Sequence, residues 1–130
     1  MVQEFIKQWD DNKHLLEEYF TITPQSKYSC YKDIVKKIFE LVITKQEFDI
    51  SKLTVIDDGD YQGTQLFIIP LDTYQPSKSD YVITDNEYGS CSGCDTLQGI
   101  NNYENGLPNK EQVKEYMTLS LHLIQKLKWL

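Results

Sequence analysis

The sequence predicts an α+β domain, a small antiparallel sheet of about three strands covered on one face by N-terminal helices and a long C-terminal helix. Three observations lead there. Apolar residues recur at helical spacing before residue 43 and after residue 108, three short β-branched runs lie between, and no helix-length stretch separates any two of those runs. Strands joined without a crossover helix pair antiparallel, and helices segregated toward the chain ends pack on one face of such a sheet. With 130 residues, 40% of them hydrophobic, residues 1–130 read as a single domain large enough to bury its own core.

Each element has its own signature. Val2, Phe5, Ile6, Trp9, Leu16, Tyr19 and Phe20 form one face of a first helix, with Lys, Asp and Glu on the other. Thr23-Pro24-Gln25-Ser26 breaks that pattern, and Ser26 or Ser29 offers a cap for a second helix whose buried stripe is Tyr31, Ile34, Val35, Ile38, Phe39 and Val42. Leu53 to Ile56, the acidic turn Asp57-Asp58-Gly59-Asp60 and the run Thr64 to Ile69, stopped by Pro70, describe a hairpin. Tyr81 to Tyr88 supplies the third strand. After Pro108, Asn109 caps a last helix through Leu130, with Val113, Tyr116, Met117, Leu121, Ile124 and Leu127 as its apolar stripe.

Charge narrows the function. Nine acids and one lysine lie between Leu53 and Asn109, a local charge of −8, whereas the rest of the chain carries eleven acids and twelve lysines, or +1. Such a middle segment repels nucleic-acid phosphate and attracts basic surfaces, so direct nucleic-acid binding is disfavoured. There is no arginine, hence no guanidinium clamp for phosphate. No apolar run is long enough to span a bilayer, and the opening MVQEFIKQWDD has no signal-like apolar core, which points to a cytoplasm and no membrane partner. The absence of alanine and arginine beside abundant Lys, Ile, Asn and Tyr suits an AT-rich genome such as that of a low-GC bacterium or its phage.

The stretch Gly89-Ser90-Cys91-Ser92-Gly93-Cys94-Asp95 holds two of the three cysteines. An odd number of cysteines cannot close into an all-disulfide framework, so thiols are expected. Cys91 and Cys94 form half of a zinc site, completed only if two of Cys30, His14 and His122 converge on them from separate helices. A redox role would draw on a helix N-terminus that favours thiolate, an effect Asp95 opposes. The third reading is a tight strand-to-helix connection with inward-packed cysteines, in which Asp95 and Gln98 cap a short helix ended by Gly99. This last is the expectation; zinc is the alternative cofactor.

Elsewhere, Asp57-Asp58-Gly59-Asp60 lacks the spacing and flanking helices of a calcium loop and reads as a solvated turn. Nucleophile-elbow, P-loop and dinucleotide fingerprints are missing, and no catalytic residue set emerges. Tyrosines among the acids, including Tyr61, Tyr74, Tyr81, Tyr88 and Tyr103, suit a protein-binding surface that takes up lysine and arginine.

Asp60-Tyr61-Gln62-Gly63, the run Tyr88 to Gln98 and the run Tyr116 to Leu123 together resemble a group of small, functionally uncharacterised phage, prophage and bacterial proteins. That group has a DYxG turn and a YGSCSGCDxL loop. The resemblance covers most of the chain and implies a phage or mobile-element setting, with Tyr61, Gly63, Cys91, Cys94 and Asp95 belonging to one shared feature. It carries no activity. Together with the charge it leads to an expected function: an acidic interaction protein that inhibits a host defence or nucleic-acid-processing protein by binding its basic surface. The residues expected to bind the partner are Asp57, Asp58, Asp60, Tyr61, Asp85, Glu87 and Tyr88, with Cys91, Cys94, Cys30 and His122 as metal ligands under the alternative.

Overall fold

A computed structural model describes residues 3–25, 30–59, 63–89, 95–101 and 106–130. Helices α1 (Gln3–Ile22) and α2 (Tyr31–Leu41) come first, then β1 (Thr54–Asp57), β2 (Gly63–Pro70), β3 (Tyr81–Tyr88), α3 (Thr96–Ile100), α4 (Lys110–Gln125) and β4 (Lys128–Trp129). Single 3₁₀ turns at Ile50–Lys52 and Lys78–Asp80 lead into β1 and β3. The strands lie in the order β1-β2-β3-β4, every neighbouring pair antiparallel. The α+β class, the two leading helices and the long C-terminal helix are as the sequence predicts. Among the described residues no helix is long and apolar enough to cross a membrane.

Two boundaries differ from expectation. The apolar stripe toward Leu130 does not stay helical: α4 ends at Gln125 with Lys126 at its C-cap, and Trp129 and Lys128 pair with Val82 and Ile83, adding a fourth strand to the three expected. The Trp129 ring packs against Phe5 and Phe48 at centroid distances of 5.8 and 5.7 Å, and its indole N–H donates to Glu4 over 2.8 Å. That aromatic contact, together with the β3 ladder, outweighs the helical periodicity of the segment. At α2 the N-cap position is Cys30, whose backbone N–H donates to the Asp33 carboxylate over 3.2 Å. Ser26 and Ser29 lie outside the described residues.

The sheet has two unlike faces because successive side chains alternate along each strand. Phe67, Ile69, Val82, Thr84 and Asn86 are buried and face the helices. Phe67, Ile69 and Val82 meet Phe5, Leu16 and Phe20 of α1, Ile34, Val35 and Ile38 of α2, and Tyr116, Leu123 and Ile124 of α4 in one core cluster. Phe20 and Tyr116 stack with centroids 4.7 Å apart and fix α1 against α4. Each such fully buried large apolar side chain contributes ~1.5–3 kcal/mol.

Buried polar groups brace the same core. Thr84 Oγ1 donates to the Leu123 carbonyl over 2.6 Å, joining β3 to α4. The Gln8 amide donates to Gln46 over 2.8 Å, while its oxygen accepts the Lys45 N–H over 3.0 Å. Among the described residues every buried side-chain nitrogen and oxygen has a partner.

Candidate functional site

Alternation places Thr54, Ile56, Thr64, Leu66, Ile68, Ile83, Asp85 and Glu87 on the outer face of the sheet, and the register sets Ile56 beside Leu66, Leu66 beside Asp85, Ile68 beside Ile83 and Thr64 beside Glu87. Ile56 is 48% exposed. Leu66, Ile68 and Ile83 are half-buried, yet none of the four belongs to the core or packs against it. The outer face is therefore an apolar centre with acids at one end, rather than the uniformly polar outer face of a sheet with strict in–out alternation.

The expected partner-binding set divides between the faces. Asp85 and Glu87 stand two apart on the outer face of β3. Asp57 and Tyr88 fall on the helix side at the end of the sheet, where the Tyr88 hydroxyl donates to Asp57 Oδ1 over 2.5 Å. That carboxylate also accepts the Gly59 N–H over 3.0 Å and the Gln65 amide over 3.1 Å. The Tyr88 hydroxyl first, then those two donors, hold the Asp57 carboxyl below its ordinary range. Asp58 Oδ1 accepts the Thr64 N–H over 2.7 Å and closes the hairpin from the β2 side. Asp57, Asp58 and Tyr88 are thus hairpin fasteners as well as charge. Asp60 and Tyr61 lie outside the described residues.

Two lysines border the patch. Lys126 Nζ sits 3.6 Å from Asp85 Oδ1 and donates to the Asp85 carbonyl over 3.4 Å. Both side chains are more than 40% exposed, so the pair contributes at most ~1 kcal/mol and yields readily to a competing cation. Lys128 stands beside Ile83 on the same face.

Of the alternative metal ligands, Cys30 is exposed at the start of α2 with Sγ 3.6 Å from Asp33, and His122 is exposed in the last turn of α4. His14 is exposed on α1. Cys91 and Cys94 lie outside the described residues. Among the described residues there is no group of three or more His, Cys, Asp or Glu side chains able to hold a metal.

The flanks of the cysteine segment are well defined. Asp95 is the N-cap of α3 as expected, its carboxylate accepting the Gln98 N–H over 3.1 Å. The helix runs one residue past Gly99, to Ile100. The sequence did not reveal that Tyr31, read there only as core, bonds Asp95; a tyrosine on an apolar stripe gives no sign of where its hydroxyl goes. It also missed the outer apolar patch, although the unbroken run Leu66-Phe67-Ile68-Ile69 is itself the signal of a strand apolar on both faces.

Comparison with protein-family models, with curated proteins and with solved structures returns no match.

Proposed function

We propose that this chain is an acidic interaction protein that binds a basic protein surface through the outer face of its sheet. One observation carries the reading: Ile56, Leu66, Ile68 and Ile83 form an apolar centre outside the core, bordered by Asp85 and Glu87. Apolar area supplies the favourable burial, and the acids select a lysine- or arginine-rich partner and speed the encounter. The local charge of −8 over the middle of the chain extends that preference beyond the patch. The resemblance to phage and prophage proteins supplies the setting, inhibition of a host defence or nucleic-acid-processing protein whose own ligand is anionic.

The test is affinity capture from a bacterial host lysate with the wild type, an Asp85→Asn, Glu87→Gln double variant and Ile56→Lys. A specific partner should be retained by the wild type at low salt, released at about 0.5 M salt, where screening acts within roughly 5 Å, and lost by both variants. A partner held equally by all three proteins in high salt would refute the proposal.

A further inference from the structure

We infer that the partner docks by adding an extended, lysine- or arginine-bearing segment as a further strand on the open edge of β1, a conclusion that rests on the acidic-interaction reading above. β1 is an outermost strand of the sheet, and among the described residues no strand pairs with its other side. Its bonding pattern follows from one contact. The Asp58 N–H donates to the Thr64 carbonyl over 3.2 Å, and in an antiparallel ladder bonded and non-bonded pairs alternate. Ile56 and Thr54, two and four residues back, therefore bond toward β2, while the N–H and C=O groups of Val55 and Asp57 turn to the open side.

The other side of the sheet is closed differently. β4 pairs with β3 at Val82 and Ile83, and beyond it the carbonyls of Asp85 and Glu87 accept side-chain nitrogens from Lys126 at 3.4 Å and Asn86 at 2.8 Å. Among the described residues no such plug stands on β1. Of the devices that blunt sheet edges, Thr54-Val55-Ile56-Asp57 has no lysine, proline or bulge and pairs with β2 in unbroken register. Its protection is its four-residue length and the inward-facing Asp57, a charge that a cationic strand would meet favourably. Three of its four residues are β-branched.

Side chains define the occupant. A strand laid along β1 sets alternate residues beside Ile56 on the outer face and beside Val55 and Asp57 on the inner. Apolar residues match the two aliphatic positions, and a cation matches Asp57 and the neighbouring Asp58. A second copy of this chain would bring its own Asp57 and Asp58 and a net charge of −7 to the same edge, which like-charge repulsion opposes.

The experiment uses a fluorescent peptide of about eight alternating lysine and valine residues and the full chain. Saturable binding is expected, with amide hydrogen exchange slowed at Val55 and Asp57. Val55→Pro removes an N–H that faces away from β2, a substitution an edge strand tolerates, and should weaken binding roughly tenfold, the equivalent of about one hydrogen bond; Val55→Thr should bind as the wild type does. Should Val55→Pro fail to fold, a peptide methylated at alternate backbone nitrogens should show the same loss against the unaltered protein. Binding that falls with salt and with the Asp85→Asn, Glu87→Gln pair, yet ignores Val55→Pro and the methylated peptide, overturns strand addition and leaves the acidic-face reading standing. Absence of saturable binding at millimolar peptide overturns strand addition too, and the capture experiment then decides the broader reading by itself. Protection of the same amides in the protein alone, rising with concentration, assigns the edge to a second copy and overturns the inference.

Discussion

The Tyr31 hydroxyl donates to Asp95 Oδ1 over 2.6 Å and accepts the Leu97 N–H over 3.1 Å, so the first residue of α2 is fastened to the N-cap of α3 at a sequence distance of 64 residues. Asp95 Oδ1 also accepts the Gly89 N–H over 3.1 Å, and the Gln98 amide returns to the Gly89 carbonyl over 3.3 Å. One buried carboxylate thus joins the end of β3, the start of α3 and α2. It holds together the two flanks of the cysteine segment.

Removing that carboxylate should cost more than removing the phenol oxygen. Asp95→Ala abolishes the cap and leaves the Tyr31 hydroxyl and the Gly89 N–H without an acceptor in a buried site, an expected loss of ~2–4 kcal/mol. Tyr31→Phe keeps the ring in the core and the cap intact, and should cost ~1–2 kcal/mol. Urea unfolding of the two variants measures both. Equal losses would mean that the Tyr31 bond accounts for all that Asp95 supplies, with the cap and the Gly89 bond adding nothing.

Stability should also fall in alkali through Tyr31. Burial first, then the hydrogen bond to Asp95 and its charge, push the Tyr31 hydroxyl up to about 12 from an ordinary 10.0, against the opposing donors Leu97 and Asn86. A raised value means that the folded state holds the proton more tightly. The contribution is complete below the unfolded value and is lost as pH rises from about 10 to about 12, a change on the order of 2 kcal/mol. The difference between wild-type and Tyr31→Phe unfolding free energies should shrink across that window.

Asp57 behaves in the opposite sense. Its carboxyl is held below the ordinary range chiefly by Tyr88, so its contribution is complete above the ordinary carboxylate value and is lost as pH falls through the depressed one. Tyr88→Phe should move the Asp57 titration, followed by carboxylate carbon resonances, back toward the ordinary value. The Gly59 and Gln65 bonds should keep part of the depression.

Gly63 is held to glycine by space. A Cβ there would lie 2.7 Å from Asp58 Oδ1 and 3.0 Å from the backbone of Gly59. The carboxylate is itself fixed on the Thr64 N–H, so Gly63→Ala should cost ~1–3 kcal/mol. Asp58→Gly in the same chain should restore only part of it, because the Gly59 backbone contact persists. Thermal unfolding of the single and double variants decides.

Local signals made the helices, the hairpin and the third strand legible. Pro24, Pro70 and Pro108 punctuate the chain, Asn109 and Asp95 cap where expected, and the apolar stripes name most of the buried residues. What stayed hidden is set by partners distant in the chain. Trp129 becomes a strand residue because Phe5 and Phe48 receive its ring, and Tyr31 reaches Asp95 only once the helices and the sheet have packed. Among the expected binding residues, the sequence could identify acids and tyrosines but not assign them to faces. That assignment depends on strand register, which sets Asp85 beside Leu66 and leaves Asp57 bonded to Tyr88 on the other side.

Two isoleucines of the same sheet should respond in opposite ways to substitution. Ile69 is fully buried against the helices, and Ile69→Ala should cost ~2–5 kcal/mol through lost burial and the cavity left behind. Ile56, on the outer face, is 48% exposed and outside the core cluster, so Ile56→Lys should change stability by no more than about 0.5 kcal/mol. Its effect should fall on association instead: an unaltered melting temperature together with lost capture of a basic partner. A large fall in stability from Ile56→Lys would show that the outer face is closed by part of the chain itself, and would remove the surface on which the proposed interaction depends.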